Sequence, residues 1–416
     1  FRYFYRKRKN TQTYYISRNG LTNYQRNNRP LLGDRIQEYA KAPGMGMLDS
    51  TVCDIYLINE QGGIIGRPIL TACIDAYSSL CCGYSLSWEG GMYSLRQLMI
   101  NVVTDKQDLC RKYGITIQQQ EWDSSLCPGV LVTDQGTEYK SANFEQIAEL
   151  GVKVVNLPVY RPELKGSVEK FFSVIQDLFR PYLKGKGLIE PDFQERGAHD
   201  YRKDACLTLE QFEKVLIRCI IYYNSQRIIE NFPYTDDMLK NKVSPYANDI
   251  FTYGKNLEGT NLVKVNKRQL MLTLLPRTTG KFTRSGLIVN HVRYKNPNYA
   301  EKYLSGGNAT VAYNPDNSSF VWLVDKGNFI EFELIENRYR SKKFSEIETM
   351  QTQKKEIIKS VQENNTQAKI NLASHIEAIV SNVGSSNGEL TAIPQNYERE
   401  KIKAHMDIMK AGGENE

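Results

Sequence analysis

The sequence predicts a mixed α/β domain built on a five-stranded sheet, followed by a small β-barrel and a C-terminal helix with a flexible tail. Three patterns carry that expectation: three apolar, β-branched runs in succession near the start, short apolar runs alternating with helical periodicities after them, and closely spaced short strands beyond residue 262. Pro43, Gly44 and Gly46 break any helix and mark the entry into the domain. Residues 48–58, 68–77 and 80–88 then read as an antiparallel meander.

Residues 93–113 place Leu95, Leu98, Met99, Val102, Val103 and Leu109 at helical spacing, so a helix crosses next. Residues 129–133 form a short, wholly apolar run of the kind buried on both faces of a sheet. A helix over 144–150, a strand over 152–157 and a longer helix over 166–183 follow, the last with Val168, Phe171, Phe172, Ile175, Leu178 and Phe179 as its inward stripe. The order βββ-α-β-α-β-α is that of the RNase H-like fold. Residues 207–224 add a helix packed onto this domain. Short strands over 270–275, 282–289, 292–294, 309–313, 320–324 and 329–334 predict the barrel. Residues 345–380 lack Gly and Pro and read as a long solvated helix, and the Ser-, Asn- and Gly-containing stretch after it reads as a linker. The expected domains are thus a basic N-terminal linker (1–45), the α/β domain (46–255), the barrel (256–340), a helical segment (341–380) and a tail (381–416).

Composition narrows the class. No run approaches the roughly 18 apolar residues of a membrane span, and the basic, Tyr-rich start lacks the apolar core of a secretory signal, so a cytoplasmic protein without membrane contact is expected. The chain opens at Phe1, which suggests a fragment or a processed product. Eight cysteines lie mostly in apolar runs with no CxxC pair, and four scattered histidines show no ligand spacing, which argues for buried thiols and against a zinc finger. No GxxxxGK[ST] loop is present, so no ATPase is expected. Residues 1–35 carry nine basic side chains against Asp34 alone, a net +8 in a chain whose total is +7, which leaves −1 for the rest. Arg6, Lys7, Arg8, Lys9, Arg18 and Arg26 interleave there with Tyr3, Phe4, Tyr5, Tyr14, Tyr15 and Tyr24, a pattern suited to phosphate neutralisation with contacts to sugars or bases. A solvated basic linker is the plainer reading.

Three acids attract notice. Asp49 opens the first strand, Asp134 ends the buried fourth strand, and Glu169 lies in the first turns of the 166–183 helix. If the first and fourth strands are neighbours, the aspartates sit side by side and the helix presents Glu169 above them. Like charges so close repel unless cations join them. Two Mg²⁺ or Mn²⁺ would suit an all-oxygen donor set, one activating an attacking oxygen and one stabilising a leaving oxygen. Taken singly, an Asp at a strand end is usually a turn former and a Glu near a helix start favours the dipole. Asp54, Asp75 and Glu138 compete for the same role; Asp54 is five residues past Asp49, so in a regular strand only one of the two reaches the cluster.

Five blocks add a resemblance. Leu48-Asp49-Ser50-Thr51-Val52-Cys53-Asp54-Ile55-Tyr56-Leu57, Gly66-Arg67-Pro68-Ile69-Leu70, residues 83–90, Lys112-Tyr113-Gly114-Ile115 and Tyr160-Arg161-Pro162-Glu163-Leu164-Lys165-Gly166-Ser167-Val168-Glu169 together resemble the TnsB transposases of heteromeric, target-selecting transposons, within the retroviral-integrase and Mu-transposase superfamily. The resemblance implies a DDE transposase with Asp49, Asp134 and Glu169 as metal ligands; Leu-Asp-Ser-Thr departs mildly from the family's first block but keeps the carboxylate. It implies cleavage that exposes a 3′-OH at the transposon ends, joining of that hydroxyl to target DNA, helix-turn-helix domains upstream of this chain, and self-assembly on paired ends of double-stranded DNA. It also implies an AAA+ regulator that engages the tail. Tyr160, Arg161 and Lys165 beside Glu169, and Lys267, Arg268, Arg277, Lys281 and Arg284 in the barrel region, are expected DNA contacts, with Arg293 and Lys295 in the same basic set. Scattered surface charge is the plainer account of the barrel residues. Two alternatives stay open: an RNase H-like nuclease that only hydrolyses, and a DNA-binding assembly subunit with idle acids.

Overall fold

The computed structural model describes residues 1–24, 28, 30, 40–133, 141–156, 166–194 and 199–384. The chain divides into two units, Phe1–Lys342 and Lys343–Glu416.

The first unit opens with helices α1 (Arg2–Arg8) and α2 (Thr11–Asn23), so the start of the basic segment expected as a linker is helical. The Asn10 side chain caps α2 by accepting from Thr13 N, and Gly20 at φ 80 interrupts its regular geometry. Strands β1 (Met45–Val52), β4 (Ile69–Asp75), β5 (Cys81–Ser87), β7 (Val130–Thr133) and β8 (Lys153–Asn156) form one sheet in the order β5-β4-β1-β7-β8. The three early strands pair antiparallel, and β1/β7 and β7/β8 pair parallel. Order and directions are those expected of an RNase H-like sheet, with β1 at its centre. The 48–58 run is not one strand: pairing with β4 ends at Val52, and Leu57–Ile58 (β2) turns aside to pair with Ile64–Gly66 (β3).

Both sheet faces are covered, which accounts for the nearly unbroken burial of β4 and β5. On one face Leu48, Cys73 and Leu131 pack with Leu95, Leu98, Met99 and Val102 of α3 (Met92–Val103) and with Phe144 and Ile147. The expected 93–113 helix breaks after Val103, where Asp105 caps α4 (Lys106–Lys112) by accepting from Asp108 N. Buried Lys106 stays at that break because its ammonium donates to the carbonyls of Asn101, Val102 and Thr104 at 2.6, 3.1 and 3.0 Å. Residues 144–150 hold one turn of α-helix, α5 (Ala142–Glu145), before a tighter 3₁₀ stretch, Gln146–Leu150. On the other face Met47, Leu70, Ala72 and Val132 meet α6 (Gly166–Leu183) and α7 (Leu209–Ser225). α6 spans the expected residues, because Val168, Phe171, Phe172, Ile175 and Phe179 recur at helical period and are all buried.

A short pair, Cys127–Pro128 (β6) with Leu262–Val263 (β9), leads into the barrel. Asn261 is wedged between two sheet strands here: its backbone N donates to Pro43 O at 3.0 Å, and its O accepts from Gly129 N at 2.7 Å. A Cβ on Gly44 would overlap the Asn261 backbone, and Gly44 takes φ 123, so that position needs glycine; a Cβ on Gly129 would meet the Asn261 side chain, which would have to shift. The 270–275 run, expected as a strand, belongs to a helix, Lys267–Thr273. Asn266 accepts from Arg268 N and Gln269 N, and Leu270 and Leu274, four residues apart, bury one helical stripe. The barrel is closed, β10 (Arg277–Thr283), β11 (Gly286–Val289), β12 (Val292–Lys295), β15 (Asn328–Leu334), β14 (Asn317–Asp325) and β13 (Gly307–Asn314) in that order around it. The expected 282–289 strand is a hairpin, because the chain reverses between Thr283 and Gly286. Of the eight cysteines, six are buried; Cys206 is exposed and Cys219 half-buried, and all are free thiols.

The second unit is described as one helix, Phe344–Gly384, whose Ile357, Val361, Ile370, Leu372, Ile376 and Ile379 are exposed. The tail was expected to begin at 381, but the helix runs on to Gly384, and the rest of the expected partner-binding tail, 385–416, lies outside the described residues.

Candidate active site

Asp49 sits in the central strand, opposite Ala72 of β4. Side chains alternate along a strand, so Asp49 shares the face of Met47, which packs in the same cluster as Val168, Phe171 and Ile175 of α6. Asp49 is thus half-buried on the face that the Glu169 helix covers. Glu169 lies in the first turn of α6, is exposed, and follows Val168, which is wholly buried. Asp134 lies outside the described residues, as do Glu138, Tyr160, Arg161, Lys165 and Arg26. It is bonded to Thr133, the last residue of β7, whose hydroxyl donates to Asn156 Oδ1 at 2.6 Å and joins the ends of β7 and β8. Met47 pairs with Val132, two residues before Asp134.

The competing acids have other work. Asp54 accepts from Arg67 Nη2 at 2.7 Å and faces Arg180 Nη2 of α6 at 3.6 Å. Asp75 is wholly buried and accepts from Gly44 N, Ser78 N and the Ser78 hydroxyl at 3.1, 2.8 and 2.7 Å, closing the β4–β5 turn. Burial pushes its carboxyl pKa up, against the pull of those donors.

The Arg180–Asp54 contact ties α6 to the chain just beyond β1, the strand that carries Asp49. Arg180 is eleven residues beyond Glu169, three turns on, so the two lie on one face of α6. Neither arginine was singled out in the sequence. The shared face of Glu169, Gln176 and Arg180 at helical spacing was the available signal, but Asp54 as the partner was not.

Among the described residues no group of three His, Cys, Asp or Glu side chains is set to hold a metal ion. Asp49 and Glu169 are oxygen donors of the type that suits Mg²⁺ or Mn²⁺, and the third expected donor falls outside the described residues.

The expected DNA contacts divide. Arg6, Lys7 and Arg8 lie on exposed α1, Lys9 follows it, and Arg18 is on α2. Lys7 stands over Tyr3 at 5.8 Å, Arg8 over Phe4 at 4.8 Å, and Lys9 and Arg18 over Tyr14 at 4.0 and 5.2 Å. The aromatics interleaved in the sequence therefore hold the cations in place. Lys267, Arg268, Lys281 and Arg284 are exposed, with Arg268 3.6 Å from Glu331. Arg277 is different: its two terminal nitrogens clamp Glu149 at 2.7 and 2.8 Å, bracing the barrel to the α/β domain. Arg293 is likewise engaged by Glu336 at 2.9 Å.

Residues 47–185 match the family model described as the TnsB C-terminal domain. The chain resembles TnsB-type transposases. It is 29% identical over 283 residues to the Tn7 transposition protein TnsB of Escherichia coli, covering 67% of this chain and 40% of that one. It is 27% identical over 159 residues to the transposase for transposon Tn552 of Staphylococcus aureus, covering 36% of this chain and 29% of that one. The chain therefore spans well under half the length of these TnsB and transposase relatives. Solved structures similar to it include the catalytic core domain of BIV integrase, at a TM-score of 0.29 and 13% identity over 51% of this chain and 95% of that one. The intasome of simian T-cell lymphotropic virus is another, at a TM-score of 0.31 and 10% identity over 71% of this chain and 77% of that one. No described helix is long and apolar enough to cross a membrane.

Proposed function

We propose that this chain is the catalytic part of a cytoplasmic, nucleoid-associated DDE transposase that exposes 3′-OH groups at transposon ends and joins them to target DNA. The observation that supports this is that Asp49 stands on the sheet face covered by the helix that bears Glu169, and that this helix is tied to the chain just beyond β1 by the Arg180–Asp54 contact. Asp134, one residue past a strand that pairs with β1, would complete the set. The three carboxylates would hold two Mg²⁺ or Mn²⁺ ions. Bound there, the ions supply charge neutralisation for the attacking and leaving oxygens of an in-line phosphoryl transfer. The chain's own residues supply placement: β1 fixes Asp49 from both sides through pairing with β4 and β7, and the buried stripe of α6 fixes the pitch at which Glu169 is offered. The cation-on-aromatic helices at the start and exposed Lys267, Arg268, Lys281 and Arg284 would bind DNA phosphates. Assembly as an oligomer on paired ends and an AAA+ regulator on the tail complete the proposal.

A strand-transfer assay with pre-cut transposon ends tests it. Asp49→Asn, Asp134→Asn and Glu169→Gln should each abolish joining while DNA binding persists. Joining by Asp49→Asn at the unaltered rate would refute the triad. Cleavage without joining by the unaltered chain would favour a hydrolytic nuclease, and absence of both an assembly subunit.

A further inference from the structure

Beyond the acids, a cavity of about 270 Å³ opens where the chain leaves β1, lined by Tyr56, Ile189, Phe193, His199, Tyr201 and Arg202. Its frame is fixed by main-chain hydrogen bonds: Tyr56 N donates to Gly187 O at 2.9 Å, Ile189 N to Asp54 O at 2.9 Å, and Ile58 N to Leu207 O at 3.0 Å. The cavity is thus tied through Asp54 to the strand that carries Asp49. Its size falls below the roughly 300–1,000 Å³ of sites for drug-sized ligands, so it suits one small planar group.

The chemistry of the wall selects among such groups. Arg202 is held by Asp200 at 2.7 and 3.1 Å, and His199 faces Asp204 at 2.7 Å, so a carboxylate already stands at the wall beside its one arginine and disfavours an incoming phosphate. Aromatic surface remains: Phe193 is 46% exposed, and the His199 and Tyr201 rings meet edge to face at 5.2 Å. A neutral heterocycle stacks on such surfaces without regard to sequence, because every base has a π face. We propose that this cavity binds an unpaired nucleobase of the DNA strand running past the active site. The proposal rests on the reading that the chain acts on DNA.

The test uses the full chain and two labelled duplexes with a short single-stranded overhang, one of thymidines and one abasic, with affinities measured by fluorescence anisotropy. The unaltered chain should bind the thymidine overhang on the order of tenfold more tightly than the abasic one. Tyr56→Ala and Phe193→Ala should each bring the two affinities together, while Tyr56→Phe keeps the preference and all variants bind a blunt duplex alike. Equal affinity of the unaltered chain for both overhangs overturns the proposal, as does a preference that survives both alanine variants. Asp49→Asn separates the two readings: it should lose joining and keep the overhang preference. If it joins DNA, the triad fails while the cavity stands.

Discussion

Arg277→Ala should loosen the barrel from the α/β domain and leave DNA affinity nearly untouched, although the sequence offers Arg277 as a DNA contact. The pair it makes with Glu149 is bidentate, at 2.7 and 2.8 Å, with the arginine 17% and the glutamate 40% exposed. Charge-assisted bonds to buried partners are worth more, but solvent reaches Glu149, so the cost of Arg277→Ala should be about 1–2 kcal/mol. Glu149→Ala should cost more, about 2–3 kcal/mol, because it strands a guanidinium whose Nε is already buried without a hydrogen-bond partner. Hydrogen exchange of β10 and β13 reads these effects locally. The Arg277 guanidinium holds the Glu149 carboxyl below its ordinary 4.5. The brace is therefore complete above pH 4.5 and is lost as pH falls through the lower folded value. A phosphate-binding arginine would instead contribute to the salt dependence of DNA binding. If Arg277→Ala reduced the slope of log K against log salt by about 0.9 with exchange unchanged, the brace would be refuted.

Asp54→Asn should weaken its hold on Arg67 and Arg180, cost about 1 kcal/mol in thermal unfolding and leave joining measurable, whereas Asp49→Asn should abolish joining in a chain that still folds. Lys106→Met takes the ammonium away from three carbonyls at the end of α3, of which Asn101 O keeps the Thr104 N–H, and should cost about 2 kcal/mol. Burial lowers the Lys106 pKa from 10.5 to about 8, so the unfolded chain binds more protons between those values. The unaltered protein should accordingly gain stability over the methionine variant as pH rises through that window, in denaturant melts at matched salt. Chelation of divalent ions should stop strand transfer, and Mg²⁺ or Mn²⁺ should restore it where Zn²⁺ does not; joining in excess chelator would contradict an all-oxygen metal site.

What the sequence made legible follows from the range of the forces involved. α6 was readable to its ends because Val168, Phe171, Phe172, Ile175 and Phe179 repeat at the helical period, and the sheet order followed from β-branched runs in a known succession. Short elements escaped: the apolar run at 270–275 carries no period of its own, and the Asn266 cap decides for helix. The hairpin at 282–289 was hidden because its reversal takes only Arg284 and Ser285. Asp49 and Glu169 could be chosen from spacing and resemblance, but the duties of Asp54, Asp75 and Arg277 could not. Their partners are set by tertiary packing; Glu149 lies 128 residues from Arg277.

The wedge of Asn261 between Gly44 and Gly129 has a mechanical outcome. The chain enters the barrel from the starting ends of β1 and β7, and Asp49 stands further along β1. Any pull on the barrel would enter the sheet there, across the hydrogen bonds that clamp Asn261, and the parallel β1/β7 ladder would share the load before it reached Asp49.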